Sequence, residues 1–242
     1  MKIIIPMAGN GYRFSKLGYT KPKPLIPISL FDNIPMIELV VKNLSLDGEY
    51  IFIAQEEHCE KYKLNTFLKS ICPNSKVVIT RGVTEGSACT VLLAKDYIDT
   101  DEPILIVNSD QHIHWDKEKF LSLIKKDLDG CIFTFNSNDA NCSYVKLNEK
   151  GYVVEAVEKR LISDMATVGI YYWSRGSDFV KYATQMIAKN IRTNNEFYIC
   201  PIYQEAINDG KKIKPFDVIE YWSLGTPENL KDFEKLYQIR KQ

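Results

Sequence analysis

The chain has 242 residues, 45% of them apolar, and its 31 basic residues balance 31 acidic ones. That length sits at the upper end of one α/β domain with a sizeable core, and zero net charge gives no electrostatic case for duplex nucleic acid or an anionic membrane as partner. The six cysteines are scattered without a C-x-x-C pair, so neither zinc spacing nor a disulfide framework is expected. One lysine ahead of an apolar strand is unlike a signal peptide, no apolar run reaches bilayer length, and a soluble cytoplasmic protein is the expectation.

MKIII reads as a buried strand, and the segment leaving it, PMAGNGYRFSKLGYTKPKPLIPI (6–28), concentrates residues that handle phosphate. Gly9 and Gly11 let the backbone approach an anion and turn its N–H groups inward. Arg13, Lys16, Lys21 and Lys23 follow with no acidic residue between Met1 and Lys23, and prolines 22, 24 and 27 stiffen the exit. Open α/β sheets bind ligands beyond the carboxyl ends of their strands, so this loop is expected to grip the triphosphate of a nucleotide. The G-x-G start is not a dinucleotide fingerprint, since Phe14 stands at the third glycine, and the spacing and ending of a Walker loop are missing. A bare glycine turn is the plainer alternative, which the adjoining cations disfavour.

Downstream, helical spacing covers 35–44 and 58–71, strands are expected at 49–55 and 76–80, and a helix at about 87–97 leads to an apolar run (103–110) ending in polar residues. Strand alternating with helix argues for a mainly parallel sheet covered on both faces. After a helix at about 117–126 the rhythm changes. CIFTF, SYVKLN, VVEAVEK and ATVGIYYW lie between 131 and 173 with short turns, and should add antiparallel strands that wall one side of the site. Helices are expected over 177–190, from near Tyr198, and over 227–241, with KIKPFDVIEYWSL extended between the last two. There is no linker-like or low-complexity tract, and no hexapeptide repeat after about 225 to build a β-helix acyltransferase tail, so one domain over 1–242 is the simplest account.

Three further stretches carry chemistry. TEGSACTVLLA (84–94) places small residues at a helix start, where a flat ring can lie against Gly86, although Ser87 as a plain N-cap explains the pattern as well. ILIVNSDQHIHWD ends a buried strand in Asp110, a costly position without a cation and a suitable hard oxygen for Mg²⁺. His112 and His114 could chelate as H-x-H, or simply belong to a solvated loop or to supporting contacts. Glu158-Lys159 at a strand end is either an exposed salt bridge or a polar pair aimed at a ligand.

P-x-A-G-x-G-x-R-F (6–14) followed by P-K-P-L (22–25) resembles the sugar-phosphate nucleotidylyltransferases, or pyrophosphorylases, and the likeness runs over nearly the whole chain. It implies a three-layer α/β/α, Rossmann-like (GT-A-like) fold with a mixed, mainly parallel sheet. It implies a nucleotide site at Met7, Ala8, Gly9, Asn10, Gly11, Glu85, Gly86, Ser87 and Ser109, with Arg13 on the β- and γ-phosphates and Lys23 at the α-phosphate as the catalytic cations. Asp110 would hold Mg²⁺, and Glu158, Lys159, Gly169, Asn195 and Glu196 would meet the acceptor. The sequence departs from the pattern at Arg160, where proline is usual, at Asn195, where glycine is usual, and at Ser223, in the slot of a second metal-binding aspartate. Asp217 and Glu220 are alternative carboxylates for that role.

The strings I-P-M-A-G, N-S-D-Q, E-F-Y and L-G-T-P resemble a capsule-associated branch that includes cytidylyltransferases acting on phosphoglutamine in capsular phosphoramidate synthesis. The implied reaction joins NTP, with CTP favoured, to phosphoglutamine or a sugar 1-phosphate and releases pyrophosphate. Two alternatives stand beside it. One is a GT-A glycosyltransferase, although Asp110 is followed by Gln111 and His112 in place of D-x-D. The other is a non-catalytic nucleotide-binding module, suggested by Ser223.

Overall fold

A computed structural model describes residues 1–240 of the chain. In chain order the first half contains β1 (Lys2–Pro6), the one-turn helix α1 (Tyr12–Ser15), a small hairpin of β2 (Pro27–Ile28) and β3 (Ile34–Pro35), then α2 (Met36–Leu44), β4 (Glu49–Gln55), α3 (Glu56–Tyr62), α4 (Leu64–Ile71), β5 (Lys76–Thr80), α5 (Ser87–Leu92), α6 (Lys95–Ile98) and β6 (Ile104–Val107). The second half contains β7 (Gln111–His114), α7 (Lys117–Leu123), β8 (Gly130–Asn136), β9 (Ser143–Leu147), β10 (Val153–Glu158), β11 (Met165–Trp173), α8 (Gly176–Ala188), α9 (Ile202–Asn208), β12 (Ile213–Asp217), β13 (Glu220–Ser223) and α10 (Pro227–Arg240). Thr226 starts α10 by accepting the Asn229 N–H at 3.1 Å, as an N-cap does.

β1 shows why the sheet is covered on both sides. Ile3, Ile4 and Ile5 are all fully buried, and alternation sends Ile3 and Ile5 to one face and Ile4 to the other. Ile3 and Ile5 pack with apolar residues of α2, α3, α4 and α7, whereas Ile4 packs with those of α5, α6, α8 and α9. The expected three-layer α/β/α arrangement is present. β5, β4, β1 and β6 run parallel to their neighbours, and β11 then joins β6 antiparallel. β8 and β9 pair antiparallel to β11, β10 to β9, and β12 runs parallel to β8. The four runs between 131 and 173 therefore do extend the sheet in the antiparallel sense.

A third cluster lies outside both faces. Phe14, Ile26, Ile28, Met36 and Leu39 pack with Leu224, Leu230 and Phe233, so α10 lies under the first loop of the chain. No helix among the described residues is long and apolar enough to cross a membrane.

Several expected elements differ in extent. The helix over 58–71 is two helices, because Lys63 adopts φ 49° between them and its N–H returns to the Cys59 carbonyl. The helix over 87–97 is likewise divided into α5 and α6. The helix expected from near Tyr198 begins at Ile202, because Phe197, Ile199 and Cys200 are spent as buried anchors ahead of it. The extended tract 212–224 is two strands in two sheets: β12 joins β8, and β13 pairs antiparallel with β7. The polar tail after β6 hides that extra strand, β7. Of the helix expected over 227–241, Lys241 lies outside the described residues.

Candidate functional site

The carboxyl ends of β1 and β6 open into a cavity of about 540 Å³. Of the residues expected to act, Met7, Ala8, Gly9, Asn10, Gly11, Arg13, Lys23, Gly86, Ser87, Ser109, Asp110 and Glu196 line it. The first loop is shaped by two devices. Gly11 takes a left-handed conformation (φ 59°) as the residue capping α1, and α1 drives Phe14 into the third cluster, edge-on to Tyr19 at 5.2 Å. Arg13, on the outer side of the same turn, is exposed and has no ion-pair partner among the described residues. Pro22 and Pro24 hold Lys23 in a 3₁₀ turn pointing back across the cavity.

Lys23 Nζ lies 2.6 Å from Asp110 Oδ2, and both side chains are mostly buried, at 23% and 19% exposure. This charge-assisted bond fixes a cation and an anion at the junction of the loops after β1 and β6. The segment Ser223–Gly225 wraps the aspartate: Leu224 N–H donates to the Asp110 carbonyl at 2.8 Å, and Gly225 N–H donates to Ser223 Oγ at 3.3 Å. A side chain at Gly225 would start 3.0 Å from Asp110 Oδ2. Ser223 thus sits beside Asp110 with its hydroxyl engaged, while Asp217 accepts from Thr134 Oγ1 at 2.6 Å and neither it nor Glu220 lines the cavity. No group of three or more His, Cys, Asp or Glu side chains suited to a metal occurs among the described residues. One strand-end carboxylate suits Mg²⁺ that is shared with a nucleotide's phosphates, and not a cage made by protein alone.

His112 and His114 do not form a chelating pair. His112 is buried against Phe31, Phe233 and Tyr237, with its Nε2 3.3 Å from Asn43 Nδ2, whereas His114 is exposed.

The second wall is built from the turn 84–88 and the segment 193–198. Gly86 has φ 133°, and a side chain there would collide with the Phe197 backbone at 2.4–2.5 Å. Phe197 N–H donates to the Glu85 carbonyl and Ala88 N–H to the Phe197 carbonyl, at 2.8 and 3.0 Å. Glu85 itself points away from the cavity to Arg192. Asn195 is likewise outside, in a turn closed by paired Thr193 and Glu196 hydrogen bonds, with Asn194 and Asn195 both at positive φ. That geometry explains the double asparagine, since a two-residue hairpin turn of type I′ needs positive φ at both positions.

Glu158, Lys159 and Gly169 lie behind the lining. Lys159 Nζ reaches the Tyr198 hydroxyl at 2.6 Å, and Tyr198 does line the cavity. Glu158 accepts from Ser143 Oγ, and burial pushes its carboxyl up from the ordinary value, opposed by Ser143 and Lys159 and assisted by Glu196. Gly169 backs Asn108, whose N–H donates to the Gly169 carbonyl at 3.0 Å. Asn108, Tyr198, Thr84 and Thr90 line the cavity without having been singled out. Asn108 and Tyr198 belong to the N-S-D and E-F-Y strings, so their signal was adjacency to charged neighbours.

The fold is shared with solved structures. A nucleoside-diphosphate-sugar pyrophosphorylase from Vibrio cholerae superposes with a TM-score of 0.82 at 24% identity, covering 96% of this chain and 99% of the other. An inositol-1-phosphate CTP transferase from T. maritima superposes at 0.73 with 17% identity over 99% and 96% of the two chains. In sequence the chain is 26% identical to the bifunctional protein GlmU of Methanocaldococcus jannaschii over 97% of its own length and 54% of the relative's. It thus spans about half the length of the curated relatives it matches. Residues 2–239 match the profile of the family described as Nucleotidyl transferase, and the chain belongs to that family.

Proposed function

We propose that this protein transfers a nucleoside monophosphate from an NTP to a small phosphorylated acceptor and releases pyrophosphate. The observation that carries this is the Lys23–Asp110 pair at the end of a glycine loop that also presents Arg13, which has no ion-pair partner among the described residues. An oxygen of the acceptor phosphate attacks the α-phosphorus, a new P–O bond forms, and the bond from the α-phosphorus to the bridging oxygen breaks as pyrophosphate departs. The attacking oxygen is already anionic, so no general base is required. The protein's contribution is positioning and charge compensation. Lys23 would face charge on the α-phosphate, Arg13 and the amides of Gly9–Gly11 would hold the leaving pyrophosphate, and Lys159 with Tyr198 would steady the acceptor phosphate. Asp110 would hold Mg²⁺ together with the nucleotide, and the ion would supply further charge neutralisation.

CTP is the favoured nucleotide and phosphoglutamine or a sugar 1-phosphate the acceptor, on the strength of the capsule-branch strings; the inositol-1-phosphate CTP transferase among the structural neighbours is compatible with a cytidine substrate. A role in supplying capsule or surface-polysaccharide precursors follows from the same reading. The test is a matrix of CTP, UTP, dTTP, ATP and GTP against phosphorylated acceptors, read as pyrophosphate release. Release that requires both substrates is expected, and Lys23→Ala should lower turnover by about a hundredfold while leaving the fold intact. Transfer from a finished nucleotide sugar without pyrophosphate would favour a glycosyltransferase, and tight NTP binding without turnover a silent binding module.

A further inference from the structure

Arg192 makes three side-chain hydrogen bonds beside the cavity, yet it does not line it. Its Nη2 lies 2.5 Å from Glu85 Oε2, its Nη1 donates to the Asn195 carbonyl at 3.0 Å, and its Nε donates to Asn190 Oδ1 at 2.6 Å. The guanidinium also lies over the Phe197 ring at 3.9 Å. One planar fork therefore spans the turn 84–88 and the segment 193–198. The two are further joined by the reciprocal backbone bonds between Phe197 and Glu85–Ala88, and by the close approach at Gly86. Gly86 and Ser87 line one part of the cavity from the first segment, and Glu196 and Tyr198 line it from the second.

We propose that Arg192 is a positioning residue that makes these two walls move as one body, so that ordering of the nucleotide side orders the acceptor side. The inference rests on the nucleotidyl-transfer reading, with Gly86–Ser87 on the nucleotide and Glu196–Tyr198 toward the acceptor. A ligand that stiffens one segment stiffens the other only through shared contacts, and the guanidinium ties Glu85 in the first segment to the Asn195 carbonyl and the Phe197 ring in the second. An arginine that served surface stability alone would affect both segments in the absence of ligand and would not transmit the effect of one ligand to the other side.

The experiment is hydrogen–deuterium exchange of the full chain with and without CTP and Mg²⁺, on the wild type and Arg192→Ala. Michaelis constants are measured in parallel with phosphoglutamine or glucose 1-phosphate, whichever releases pyrophosphate. In the wild type CTP should protect amides at 85–88 and at 193–198. In Arg192→Ala protection at 85–88 should persist and that at 193–198 should fall by at least about half, the backbone bonds at Phe197 carrying the remainder, with the acceptor KM rising about tenfold and the CTP KM changing less than about threefold. Protection at 193–198 equal to that of the wild type, or both KM values rising together, overturns the coupling. Absence of protection in the wild type with CTP or any other NTP overturns the nucleotide reading as well, which separates the two failures. If Arg192→Ala does not fold, Glu85→Gln removes the charge from the other end of the latch and is judged by the same criterion.

Discussion

Glu158 sits where its charge is disfavoured, and that has a measurable consequence. Burial raises its carboxyl above the ordinary value of 4.5 despite the Ser143 hydroxyl and the Lys159 charge. The native state keeps this proton to a higher pH than the unfolded chain does. The group's contribution is therefore complete in acid and declines as pH rises through a window that begins near 4.5. Glutamine mimics the protonated form, so Glu158→Gln should gain thermal stability relative to the wild type as pH rises above 4.5. Melting curves across that range check the sign, and a pH-independent difference would contradict it. At this scale the convergence of Gly9, Gly11, Arg13 and Lys23 on one cavity was legible, because glycines and cations closely spaced after a buried strand mark a loop at the carboxyl edge of the sheet. That Glu85 and Asn195 lie outside the cavity lining was not legible, because motif position does not reveal that Glu85 pairs with Arg192 or that paired positive φ values place Asn195 in a turn.

The turn 84–88 depends on the absence of a side chain at one position. A methyl group at Gly86 would meet the Phe197 carbonyl oxygen at 2.4 Å and its nitrogen at 2.5 Å, and φ 133° is strained for an L-residue. Gly86→Ala should destabilise the chain by about 2–4 kcal/mol and weaken nucleotide binding, as read by denaturant unfolding and by ligand titration. A variant with unchanged midpoint and affinity would show that the 193–198 segment yields freely. The elements themselves were read well where alternation or a buried apolar run set them, as in β1, β4 and β8–β11. Helices were overextended where a local break left no mark in composition. Lys63 is an ordinary helix former, yet it takes a left-handed conformation where it ends α3 and starts α4.

Across the whole molecule, all six cysteines are free thiols, and burial is the main reason each is pushed above its ordinary range. The native protein should therefore react with Ellman's reagent at neutral pH at least about tenfold more slowly than the unfolded chain, which should release all its thiols promptly. Rapid reaction of several thiols in the native state would contradict the packing of both faces of the sheet. The layered architecture was legible because strand and helix alternate through the first half and strands cluster in the second. The β7–β13 ribbon was not, because QHIH and EYWS are too short and too polar to announce a pairing across a long separation. The floor beneath the first loop is equally non-local, since Phe14 rests on Leu224, Leu230 and Phe233. This fixes the order in which the molecule is completed. A growing chain can lay down the parallel strands early, but the cluster beneath the loop at 6–28 stays incomplete until the region near residue 233 joins its nearer members Ile26, Ile28, Met36 and Leu39. Full packing of the loop then depends on a helix distant in sequence, and the loop-closure entropy of that contact sets when it arrives.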